Sequence, residues 1–208
     1  MSTLVSVTIR ADELRLGRRL EYMTVLWNAV EALVALAAGA VSGSVSLLGF
    51  GIDSVIESSS GIILLWQLSD VTKREFRERT ALKLVGLSFL FLALYVAIEA
   101  MRSLITRTPP EKSWVGVTLA LVSLMVMPLL ARAKRRLGAQ LRSPALLADS
   151  RQTEFCAYLS AILLAGLSFN AAFGWWWADP AAALAMVPII GREGYEALKG
   201  GSCRCTVA

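Results

Sequence analysis

The chain of 208 residues contains no histidine. That absence removes the commonest neutral metal ligand and the side chain that most readily moves protons near neutral pH. Metal binding or proton transfer is left to carboxylates, amides and thiols. Cysteine is scarce too, with three in all. Cys156 falls inside an apolar run, and Cys203 and Cys205 lie close together in the last residues, so the set is no disulfide framework. Charged residues make up only 18% of the chain. No ten-residue segments of alternating polarity occur, which excludes a transmembrane barrel. No nucleophile–base pair suggests itself, and no two histidines exist for a hydrolytic metal site, so the chain does not read as an enzyme.

What remains is apolar: 56% of residues are hydrophobic and the mean hydropathy is +0.59. Several runs of about 20 residues are nearly free of charge, long enough to cross a hydrocarbon core as helices. Six spans are predicted, over 22–40, 45–68, 81–103, 114–131, 146–170 and 180–198. The first has no small-residue cleavage site after it and reads as a retained helix rather than a signal peptide. The expected organisation is an N-terminal cytoplasmic segment over 1–20, a six-helix membrane domain over 21–199, and a short cytoplasmic tail over 200–208. Pro109-Pro110 breaks the chain after the third span, and Pro128 and Pro188 fall inside the fourth and sixth. Asp179-Pro180 reads as an N-cap followed by a first-turn proline.

The net charge of +5 does not point to nucleic acid, because the basic residues are clustered between apolar runs. Arg10, Arg15, Arg18 and Arg19 precede the first span. Lys73, Arg74, Arg77, Arg79 and Lys83 fill the second connection, and Arg132, Lys134, Arg135, Arg136 and Arg142 the fourth. The first and fifth connections carry none. The positive-inside rule then puts both termini in the cytoplasm, as expected of a multi-pass protein of the plasma (inner) membrane.

A charge inside hydrocarbon is costly, so buried ionisable residues mark function. Asp53 and Glu57 are one helical turn apart on the second span, and Ser46, Gly49, Ser60 and Gln67 extend the same stripe. Two such acids repel each other unless a cation or a proton joins them. The plainer alternative is a protonated acid held by a hydrogen bond. In the fifth span Asp149, Gln152, Thr153 and Cys156 share a face, while Arg151 and Glu154 point away and can pair with each other. The two spans are antiparallel, so Gln152 and Cys156 come level with Glu57 and Asp53. Asp149 lies about a turn nearer the cytoplasm, as an inlet or a rival ligand. Asn28 and Glu31 of the first span, with Ser60 and Thr153, are candidates to line the same cavity. Glu99 and Arg102 read as a local ion pair.

These residues carry a resemblance. The segment from Ser44 to Glu57 resembles the second helix of the cation diffusion facilitator (cation efflux) family. Leu146 to Cys156 resembles its fifth helix, and Trp176-Trp177-Ala178-Asp179-Pro180 the start of its sixth. The resemblance implies an all-α membrane protein, a six-transmembrane-helix bundle, here with no C-terminal soluble domain. It also implies a homodimeric exporter that exchanges zinc or another divalent ion for protons, with no permanently bound cofactor. Carried over, Asp53 and Glu57 on helix two and Gln152 and Cys156 on helix five are the metal ligands. The family often has histidine or aspartate at the first of the two helix-five positions and aspartate at the second, so this pair departs from its pattern. Carboxylates with one thiol suit zinc, cadmium or cobalt, with manganese and iron as further candidates. The rival expectation is a metal-binding or scaffold membrane protein of the same fold that does not transport.

Overall fold

The computed structural model describes residues 2–69, 74–141 and 144–199. Six helices follow one another: α1 (Ser2–Ser42), α2 (Val45–Ser69), α3 (Arg74–Thr106), α4 (Trp114–Gln140), α5 (Pro144–Phe173) and α6 (Ala178–Leu198). No strand occurs among the described residues. Each predicted span lies within a helix, and most helices run beyond it. α1 begins at Ser2, so the segment expected before the first span is the same helix continued. Cys203 and Cys205 lie outside the described residues.

The outer surface decides the solvent. Leu84, Phe91, Leu94, Ile98 and Ile105 of α3 are each more than half exposed. Leaving one such side chain in water forfeits roughly 1.5–3 kcal/mol. Five together approach the whole stability of an ordinary domain, about 5–15 kcal/mol. In hydrocarbon the same surface costs nothing, and a helix satisfies its own backbone. Among the described residues four stretches are long and apolar enough to span by themselves: Arg15–Ser42, Lys83–Thr106, Trp114–Gln140 and Asp149–Phe173. α2 and α6 fall outside that set because they carry more charged and polar residues. α2 contains Asp53, Ser54, Glu57 and three further serines in a row, and α6 contains Arg192, Glu193 and Glu196.

Packing is by pairs. α1 lies along α2, α4 along α5, and α3 along α6. α5 also touches α6, and α2 contacts α3, α5 and α6. Small residues permit the closest approaches. A methyl group on Gly86 would come within 2.8 Å of the Gly194 carbonyl oxygen, and one on Gly194 within 2.8 Å of the Gly86 carbonyl oxygen. α3 and α6 therefore meet backbone to backbone. The core between the helices is built from Leu47, Phe50, Val96, Met127, Leu163, Met186 and Ile190. α1 and α5 are each followed by a glycine of positive φ, Gly43 at 67° and Gly174 at 68°. Only glycine takes that conformation without strain, and it ends both helices.

Candidate metal centre

α2 carries two acids into the interior. Asp53 and Glu57 are 5% and 4% exposed, one turn apart on the face turned toward α5. From α5 comes Cys156, 2% exposed and unpaired with any other thiol. One ligand atom from each of the three residues lies within 4.8 Å of the others. Glu57 Oε1 is buried without a hydrogen-bond partner. Two carboxylates and a thiol this close, with an oxygen left unsatisfied, form a donor set for a cation.

Gln152 stands one turn from Cys156 and lines the same small cavity as Asp53, Glu57 and Cys156. Its Oε1 accepts from Ser60 Oγ at 3.1 Å, and its Nε2 is buried without a partner. Ser60 does not line that cavity and bonds to Gln152 instead. Glu31 of α1 is fully buried beside the cluster. Its Oε2 accepts from Ser54 Oγ at 3.0 Å and lies 3.9 Å from Cys156 Sγ. Asn28, one turn earlier, is also fully buried, and both its polar atoms lack hydrogen-bond partners.

Asp149 and Thr153 belong to a different group. Lys134 of α4 is completely buried, and its Nζ lies 2.5 Å from Asp149 Oδ2, 3.0 Å from Glu21 Oε2 and 3.5 Å from Thr153 Oγ1. Glu21 is 1% exposed and Asp149 8%. This triad joins α1, α4 and α5 and lies within electrostatic reach of Glu57. Thr153 also donates to the Asp149 carbonyl oxygen at 3.2 Å.

Two local readings change. Glu154 pairs with Arg135 of α4, while Arg151 is exposed, so the expected pairing within α5 does not form. Helix α4 lies against that face and offers the nearer guanidinium. Asp179 is a cap, but of another helix. α6 already begins at Ala178, and its N-cap residue Trp177 makes no side-chain bond. Asp179 instead accepts from Ser44 Oγ at 2.5 Å, from Val45 N at 3.0 Å and from Ser46 Oγ, all at the start of α2. The Glu99–Arg102 pair is present at 3.5 Å.

The family model of the cation efflux transmembrane domain matches residues 22–201. The chain belongs to this family. Among curated proteins it is 27% identical over 158 residues to the uncharacterized transporter sll1263 of Synechocystis sp., covering 72% of this chain and 51% of that protein. It is 32% identical over 126 residues to transmembrane protein 163 of Xenopus laevis, covering 58% of this chain and 45% of that one. With the cation-efflux pump FieF of Shewanella oneidensis the identity is 28% over 106 residues, covering 51% and 34% respectively. The chain thus spans about half the length of these relatives or less. The family transports divalent metal cations and is a family of transporters rather than enzymes.

Three residues of this cation efflux domain escaped the sequence, Glu21 of the buried triad among them. Lys134 looked like one of a cytoplasmic basic cluster. Yet it continues the buried stripe Ser123, Met127, Leu130 of α4, whereas Arg132, Arg135 and Arg136 do not. That spacing was the available signal. Glu193 of α6 lines the same cavity as Asp53 and Glu57. It follows Ile190, a core residue, by three positions, which places it on the inner face of α6.

Proposed function

We propose that the chain carries a divalent metal cation across the membrane, zinc foremost, in exchange for protons. Asp53, Glu57 and Cys156 hold the cation, and Gln152 completes the site. The observation that carries this is the meeting of two buried carboxylates and a buried thiol within 4.8 Å, on two helices of a cation efflux domain. A hydroxyl both donates and accepts, so Ser60 holds the Gln152 amide in either orientation. Turned over, the amide presents its oxygen to the cavity as a fourth, neutral ligand. Two hard oxygens with one soft sulfur favour zinc, cadmium or cobalt over magnesium; manganese and iron(II) remain candidates. When the cation leaves, the clustered acids need another positive charge, and protons supply it.

Alternating access fits the packing. α6 contributes to the cavity wall and runs with α3, while α2 and α5 carry the ligands. A shift of the α3–α6 pair against the others opens the cavity to one side and then the other. The domain acts as a homodimer in the plasma (inner) membrane, with both termini and the tail over 200–208 on the cytoplasmic side.

A second reading, a metal-binding scaffold without transport, draws on the neutral Gln152 and its engagement with Ser60. Proteoliposomes with an imposed pH gradient separate the two. Zinc, cadmium and cobalt accumulate faster under an opposing proton gradient than without one if the chain is an antiporter. Metal that binds the protein but never enters the sealed lumen establishes the scaffold.

A further inference from the structure

The three donors of the candidate site are buried, so a cation needs a way to reach them. The cavity they line has one other ionisable wall residue, Glu193 of α6. Unlike Asp53, Glu57 and Cys156, Glu193 is only partly buried, which places it at the accessible side of the cavity. Its neighbour Arg192 makes no ion pair with it. The Arg192 guanidinium is turned outward and binds Glu196 at 2.8 Å, one turn along the helix. Among the described residues Glu193 has no ion pair. It lies within electrostatic reach of Asp53 and Glu57. Glu57 Oε1, nine-tenths buried on the same cavity, has no partner, so the cavity ends on an unsatisfied oxygen.

We propose that Glu193 is the capture carboxylate of this cavity, drawing a divalent cation to its mouth and passing it to Asp53 and Glu57. The inference rests on the reading of Asp53, Glu57 and Cys156 as the binding site. The other inner acid, Asp149, is already held by Lys134 and is poorly placed for that task. Because Glu193 stands on α6 and the ligands on α2 and α5, movement of α6 against them separates the capture step from the holding step.

Cobalt(II) is the probe, since a cobalt–thiolate bond has its own charge-transfer absorption. The full chain is used in detergent with Cys203 and Cys205 replaced by serine, so that Cys156 is the sole thiol. Stopped-flow mixing follows the growth of the thiolate band. Glu193→Gln is expected to slow association about tenfold at low salt, the effect of deleting one attractive charge near the mouth. It should also flatten the dependence of the rate on ionic strength while leaving the final spectrum unchanged. Glu193→Asp, which keeps the charge, should restore most of the rate, and Glu99→Gln, in the exposed pair on α3, should match the parent. Parent-like association in Glu193→Gln overturns the proposal, as does loss of its thiolate band at saturation. If Glu193→Gln does not fold, a parent rate insensitive to ionic strength overturns it equally. A parent with no thiolate band, or one that survives Cys156→Ser, overturns the underlying site instead.

Discussion

Lys134 shows how much a single position can hide. By composition it belongs to a basic loop, and by spacing it belongs to the interior. It sits between Glu21 and Asp149 with no exposure at all. Removing one partner of a buried ion pair leaves the others uncompensated and costs about 3–5 kcal/mol, far more than an exposed pair is worth. Lys134→Met is therefore expected to lower the unfolding midpoint in detergent severely. Combining it with Glu21→Gln and Asp149→Asn should recover most of the loss. A single variant as stable as the parent would show that the triad contributes nothing to stability. Asp53 and Glu57, by contrast, were legible in the sequence, because two acids one turn apart in an apolar helix are too costly to leave without a cation or proton between them. Cys156 and Gln152 were expected from their spacing, their depth and the family resemblance. Glu193 did not, because it stands near the end of a span, where charges are ordinary.

The helices themselves were the easiest part to read. Apolar length and short connections fix their number and order, and glycine ends two of them as its backbone freedom allows. What one sequence cannot show is which helix caps which. Asp179 stands in the first turn of α6, a favoured place for an acid, yet its oxygens face the first turn of α2. That cross-helix cap ties the ends of α2 and α6 together beside the Gly43 turn. Asp179→Ala strands the Val45 amide and two serine hydroxyls and is expected to cost about 1–3 kcal/mol. The loss should appear as a lower thermal midpoint in detergent with cobalt affinity preserved. An unchanged midpoint would mean that the cap does not stabilise the bundle. The pairing of α3 with α6 was likewise invisible in order along the chain. It depends on Gly86 and Gly194 facing each other, and only three-dimensional packing reveals that.

At the scale of the whole molecule, the apolar exterior and the polar interior divide the work. The exterior, exemplified by α3, needs lipid, and the interior gathers acids that lipid would not tolerate. The family match covers residues 22 to 201, and the donors proposed for the cation depart from the family's usual pattern. A cation efflux domain without histidine has carboxylates, amides and thiols as donors, and two carboxylates and a thiol come within 4.8 Å of one another in the bundle. The most direct measurement is zinc flux into sealed proteoliposomes, comparing the parent with Asp53→Ala at matched reconstitution. Proton-driven zinc uptake is expected in the parent and its abolition in the variant, with the variant still folded by size-exclusion profile. Equal flux in both would contradict a transport site built on Asp53.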